Sequence, residues 1–231
     1  MPIQLICLDA DDTLWHNMRH FNAIEEALVA MLQPFADAHV ARDLLNICEA
    51  RNLPLYGYGA KGFTLSMIET ATELAGDALD AAMVRDILAA GRELLAHPVQ
   101  LFDDVEATLQ ALSDRGRLVL VTKGDLLHQE AKLAASGLGD LFGGIEIVSD
   151  KNAGTFKRIF AKYGVEAQQS VMAGDSMRSD VTPALQAGAW AAYIPQENGW
   201  VHEHAPPPAE HPCYRQLQRL ADLPGWIDTI G

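Results

Sequence analysis

The chain has 231 residues, an apolar fraction of 49% and a formal net charge of −14 at neutral pH, values that suit one large α/β domain or a domain with a smaller companion. The acidic balance argues against general affinity for nucleic acid or anionic membranes, both of which attract basic patches. Cys7, Cys48 and Cys213 are too scattered for a disulfide framework or a zinc site, and no window approaches the roughly 18 consecutive apolar residues of a bilayer span, so a cytoplasmic, soluble protein is expected.

The first element is the apolar run from Ile3 to Leu8, too short for a helix and read as a buried strand of a parallel sheet. It ends in Asp9, Asp11 and Asp12. Carboxylates this close repel one another and raise each other's pKa, so a cation is expected among them, and Mg²⁺ is the usual partner of clustered hard oxygens.

Residues 16 to 98 read as helical throughout. Phe21, Ile24, Leu28, Met31 and Phe35 form one stripe at three- and four-residue spacing, and Val40, Leu44, Ile47 and Cys48 a second. Phe63, Met67, Ala71 and Leu74 form a third, and Met83, Ile87, Leu88, Gly91 and Leu95 a fourth, with Asp80 as its N-cap. Four amphipathic helices in succession imply a small bundle with its own core. Leu55 to Gly62 reads as a glycine-rich loop carrying Tyr56, Tyr58 and Lys61; with no strand leading into it, it does not match a dinucleotide fingerprint.

After Pro98 strands and helices alternate. A helix over 105–115 ends at Gly116, read as a C′ glycine, and is followed by a strand over 118–122 and a helix over 126–136 closed by Gly137. A strand over 145–148, a helix over 152–163 closed by Gly164 and a strand over 170–175 come next, then a short helix through Leu185 and a strand over 189–194. Residues 196–212 are rich in Pro, His and Glu and read as an irregular, solvated connection, and residues 214–227 as a closing helix or short strand. The expected architecture is α/β: a Rossmann-like parallel sheet with helices on both faces, formed by 1–15 and 99–231, with an inserted α-helical bundle at 16–98.

Ligands of such sheets bind beyond the carboxyl ends of the strands. Four polar stretches fall there: Asp9-Ala10-Asp11-Asp12-Thr13, Thr122-Lys123-Gly124-Asp125, Ser149-Asp150-Lys151, and Gly174-Asp175-Ser176-Met177-Arg178-Ser179-Asp180. A hydroxyl, a lysine and paired carboxylates on one rim suit phosphoryl transfer.

In this order the four stretches resemble the four motifs of the haloacid dehalogenase superfamily, and the helical insertion resembles the cap of one of its subclasses. The D-x-D-x-T form of the first is typical of the superfamily's Mg²⁺-dependent phosphatases. The resemblance implies Asp9 as nucleophile and metal ligand, and Asp11 as general acid/base that also offers its main-chain carbonyl to the metal. By the same resemblance Thr122 bonds the phosphoryl oxygens, Lys151 (rather than Lys157) holds nucleophile and phosphate together, Asp175 ligates Mg²⁺ and Asp180 completes that shell. Asp12, Asp125 and Arg178 are expected to be local caps or surface charges. Trp15, His16, Lys123, Gly124, Tyr58 and Lys61 are candidate substrate contacts, and His202, Glu203, His204 and His211 read as solvated. The implied function is hydrolysis of a small phosphorylated metabolite by a monomer or homodimer. A dehalogenase, a phosphomutase and a catalytically silent scaffold are the alternatives; a phospho-accepting receiver domain fits neither the length nor the insertion.

Overall fold

The computed structural model describes residues 2–197 and 199–230; Asn198, within the expected irregular connection, lies outside them. Six parallel strands form one sheet in the order β3-β2-β1-β4-β5-β6. They are β1 (Leu5–Leu8), β2 (Arg117–Lys123), β3 (Ile145–Val148), β4 (Ser170–Gly174), β5 (Trp190–Tyr193) and β6 (Tyr214–Gln216).

The strict two-residue period of the strands sorts their side chains into two cores. Ile6, Leu8, Leu118, Leu120, Val171 and Ala173 face one side and pack with Leu109, Leu112, Leu133, Trp226 and Ile227. Those partners come from α5 (Val105–Ser113), α6 (Leu126–Ser136) and α9 (Leu223–Ile230). Leu5, Cys7, Val119, Val121 and Met172 face the other side and pack with Phe156, Ile159, Phe160 and Ala184, from α7 (Ala153–Tyr163) and α8 (Thr182–Gln186). Near-continuous apolar strands with helices on both faces are what a parallel sheet requires, and the α/β, Rossmann-like expectation holds. Cys7 is the small core residue the sequence suggested, and all three cysteines are free.

By packing the chain divides into two units, one of residues 1–18, 99–123 and 129–231, the other of residues 19–98 and 124–128. The second contains α1 (Met18–Leu32) from Arg19 onward, α2 (Ala38–Tyr56), α3 (Ala60–Ala75) and α4 (Ala81–Ala96). Its core is Ile24, Leu28, Leu32, Leu45, Phe63, Met67, Ile87 and Leu94. Asp80 caps α4 by accepting from the amides of Ala82 and Met83.

Four local readings change. The glycine-rich loop shrinks to Gly57-Tyr58-Gly59, because α2 runs through Pro54 to Tyr56 and α3 begins at Ala60. Gly116 is not a left-handed C′ residue, unlike Gly137 and Gly164 (φ 70° and 68°). A Cβ at position 116 would lie 3.0 Å from the Gln4 main chain, so close approach to the strand is what calls for glycine there. The helix expected through Leu185 starts as a wide π turn, Met177–Val181, before α8. The closing segment supplies both a strand, β6, and a helix, α9. No helix among the described residues is long and apolar enough to cross a membrane.

Candidate active site

The order of the strands reverses between β1 and β4, and the polar loops gather at the carboxyl ends around that point. Asp9 follows β1 directly, and its amide donates to the Ala173 carbonyl of β4 at 3.0 Å. The Thr13 hydroxyl donates to Asp9 Oδ2 at 3.2 Å and accepts the Asp175 amide at 3.1 Å, tying the first and fourth loops together.

Carboxylate oxygens of Asp9, Asp175 and Asp180 all lie within 4.8 Å of one another. The Lys151 ammonium sits between two of them, paired with Asp9 and with Asp180 Oδ1 at 2.7 Å. Lys151 is 4% exposed and Asp180 fully buried, whereas Lys157 is on the solvent side of α7. Asp180 is fixed further by the Ser176 amide at 2.9 Å, an arrangement supplied by the π turn. The Asp175 carboxylate makes no hydrogen bond or ion pair among the described residues.

One lysine does not neutralise three carboxylates. Burial raises the Asp9 pKa to about 7, with Lys151 opposing and Asp180 adding to the shift. Burial and the charges of Asp9 and Asp180 raise Asp175 well above the ordinary carboxylate range. A set of desolvated, mutually repelling hard oxygens, one with no protein donor, has the chemistry of a divalent-cation site. The residues therefore fit a Mg²⁺ ion.

The packing behind the cluster leaves no slack. A Cβ on Gly174 would lie 2.1 Å from Asp180 Oδ2 and 2.9 Å from Asp9 Cβ. Gly174→Ala is therefore expected to lower unfolding free energy by about 1–3 kcal/mol and to weaken Mg²⁺ binding, read by urea denaturation with and without the ion. Unchanged stability and affinity would contradict this packing.

Asp11, two residues on, is held separately. Its carboxylate accepts from Lys132 Nζ at 2.6 and 2.7 Å, from Trp15 Nε1 at 2.7 Å and from Gln129 Nε2 at 3.1 Å. Burial works to raise its pKa, but the Lys132 charge and these donors outweigh burial and hold it below the ordinary range. Gln129 Nε2 also donates to Thr122 Oγ1 at 2.7 Å and to the Lys123 carbonyl at 2.8 Å, linking Asp11 to the buried Thr122. Asp12, with φ 57°, turns away and accepts from the amides of Asn17 and Met18, capping α1.

The candidate substrate contacts disperse. Trp15 is 1% exposed and part of the sheet core, so its indole N–H serves Asp11 and its ring does not line an open pocket. His16 lies against Phe102, ring centroids 4.0 Å apart. Lys61 pairs with Asp125 at 2.8 Å, and Asp125 also accepts the His128 amide. Gly124 adopts φ 133° and Tyr58 is half-buried between Gly57 and Gly59. Lys123 donates to Ser179 Oγ at 2.7 Å and pairs with Glu203.

That last contact corrects the reading of 196–212 as a solvated connection. Glu203, on the turn Val201–Glu203, is half-buried against Lys123 and the Ser176 hydroxyl, and Arg178 donates to the His202 carbonyl at 2.9 Å. The segment is strapped across the loop that carries Asp175 and Asp180. Sequence reasoning also missed Gln129 and Lys132. Gln129 is four residues before the buried Leu133 on α6, so a polar group on an inward face was the available signal.

A family model described as haloacid dehalogenase-like hydrolase matches residues 3–188. The chain is 29% identical over 135 residues to mouse N-acylneuraminate-9-phosphatase, covering 56% of this chain and 53% of the relative. It is 23% identical over 167 residues to the human enzyme of that name, covering 70% and 66%. The chain thus spans between half and two thirds of the length of these curated relatives. Among solved structures, a haloacid dehalogenase-like family hydrolase from Xanthomonas campestris superposes with a TM-score of 0.89 at 38% identity, covering 99% of this chain and 92% of that one.

Proposed function

The chain belongs to the haloacid dehalogenase-like hydrolases, and from that premise we propose that it is a Mg²⁺-dependent phosphatase of a small, soluble phosphomonoester, acting through an aspartyl-phosphate on Asp9. The observation that carries this reading is the pairing of a clamped carboxylate, Asp9, with a second, separately held carboxylate two residues on, Asp11. A dehalogenase has no need of a carboxylate at Asp11; a phosphatase uses it to protonate the leaving group and then activate water.

Lys151 on Oδ1 and the Thr13 hydroxyl on Oδ2 fix the Asp9 carboxylate at the end of β1, where it serves as the nucleophile. Asp9 attacks phosphorus and the bond to the ester oxygen breaks; the negative charge of the bound phosphoryl group raises the Asp11 pKa from its low resting position, so that Asp11 enters the step protonated and gives that proton to the ester oxygen. The Asp11 carboxylate then removes a proton from water as the water oxygen attacks phosphorus, releasing inorganic phosphate and regenerating Asp9. Thr122 and the loop amides beside it hold phosphoryl oxygens, and Lys151 offsets their charge. Asp9, Asp175 and the Asp11 main-chain carbonyl would hold Mg²⁺, with Asp180 completing the shell; when bound, the ion supplies the divalent charge that balances carboxylates and phosphoryl group. Residues 16–98 are read as the helical cap domain and 1–15 with 99–231 as the hydrolase core, of a protein working in the cytoplasm.

The test is hydrolysis of p-nitrophenyl phosphate with Mg²⁺ and with excess chelator. Turnover is expected only with the metal, and undiminished turnover in chelator overturns the mechanism. A panel of phosphorylated metabolites identifies the natural class. The mammalian relatives are named for N-acylneuraminate 9-phosphate, so phosphorylated sugar acids head that panel.

A further inference from the structure

Lys132 is a lysine with 5% exposure on α6, and burying an ammonium costs several kcal/mol unless its partners are well placed. Here they are. Its Nζ reaches both oxygens of Asp11, at 2.6 and 2.7 Å, and lies 3.3 Å from Asn17 Oδ1. With one donor on each oxygen from Lys132, the indole N–H of Trp15 on Oδ1 and the Gln129 amide on Oδ2, the Asp11 carboxylate has its plane and direction fixed from three sides. The Trp15 ring is locked in the sheet core, so its donor does not move. Gln129 presents its Nε2 to three acceptors, Asp11, Thr122 and the Lys123 carbonyl, and its own Oε1 is buried without a partner among the described residues.

An orphaned buried oxygen is costly in a merely structural contact, by about 1–3 kcal/mol, and its retention indicates that the amide is held for its donors. Lys132 and Gln129 lie three residues apart on one helix face and together address one carboxylate. Resting on the phosphatase reading, we propose that Lys132 is the positioning residue of Asp11: it sets where the acid/base carboxylate stands relative to the ester oxygen, with Gln129 coupling that position to the phosphate-binding Thr122. Lys132 touches neither phosphorus nor the leaving group and acts only through Asp11.

A positioning role for the acid/base has a readout that a structural ion pair lacks, the dependence on leaving group. p-Nitrophenolate departs without a proton, whereas an alkoxide needs one. Lys132→Met is assayed on p-nitrophenyl phosphate and on an alkyl phosphate hydrolysed by the wild type. Both rates are expected to fall, the alkyl rate at least about tenfold further, and Lys132→Arg, which keeps charge and donors, to restore the ratio to within about threefold of wild type. Equal losses on both esters, or equal ratios in the Met and Arg variants, overturn the assignment. If Lys132→Met does not fold, Trp15→Phe, which withdraws the indole donor from Oδ1, is read by the same ratio. A wild type inactive on both esters overturns the phosphatase reading instead. The crystal structure of Lys132→Arg beside that of Lys132→Met then decides the inference: Asp11 leaves its contacts with Trp15 and Gln129 in the Met variant only, and an unmoved Asp11 refutes it.

Discussion

Asp9→Asn is expected to reduce p-nitrophenyl phosphate turnover to background, a loss of at least about 10⁴-fold, because an amide oxygen is not a competent nucleophile toward phosphorus. The substitution is nearly isosteric, so the loss is not one of shape. Asn retains an acceptor for the Thr13 hydroxyl, and Lys151 retains Asp180 as its partner. The variant also removes one of three carboxylates whose oxygens crowd within 4.8 Å. Stability without metal is therefore expected to stay within about 1 kcal/mol of wild type, the lost Lys151 contact being offset by relieved repulsion. Urea denaturation checks the second point and initial rates with Mg²⁺ the first. A phosphoryl-enzyme trapped by acid quench should be present in the wild type and missing in the variant. Full activity in Asp9→Asn would remove the covalent mechanism.

Much of the site was legible because its signals are local. Asp9, Thr122 and Asp175 each fall at or just past the carboxyl end of an apolar strand, and such runs are easily located by period and length. Lys151 was separable from Lys157 because only the latter continues the pattern of α7. Helix stripes placed α1 to α4, and a single cap, Asp80, was read to the residue. What escaped depends on long-range approach. Glu203 reaches Lys123 across 80 positions from a segment without periodicity, and no local rule pairs them. The Gly57-Tyr58-Gly59 break was overdrawn because its glycines were read as punctuation, although α2 continues to Tyr56 and α3 absorbs Gly62. Gly116 was assigned by chain position alone, whereas close approach to Gln4 is what the fold requires of it. Trp15 seemed available to substrate because it follows the first acidic loop. Instead its N–H is spent on Asp11, a contact set by the turn from Ala10 to Trp15.

Lys151→Met is expected to cost about 3–5 kcal/mol of unfolding free energy in the absence of metal, the largest stability effect of any single substitution considered. The thioether fills much of the lysine's volume, so the cost is electrostatic: Asp9 and Asp180 are left buried with no counter-charge between them. Burial works to lower the Lys151 pKa, but Asp180 and Asp9 outweigh it and hold it above the ordinary 10.5. A group raised in the folded state contributes fully below its unfolded pKa, and that contribution fades only as pH rises through the folded value. The deficit should therefore be evident throughout the neutral range. Mg²⁺ is expected to narrow it, because a ligand of the folded state stabilises by mass action and the variant's carboxylates lack a competing ammonium. Denaturation of both proteins with and without millimolar MgCl₂ measures the two effects together. A metal-free deficit under about 1 kcal/mol would mean that Lys151 does not offset the carboxylates it touches. A deficit that Mg²⁺ leaves unchanged would mean that Asp9 and Asp180 do not share a site with the ion, and the assignment of the cluster would fall with it.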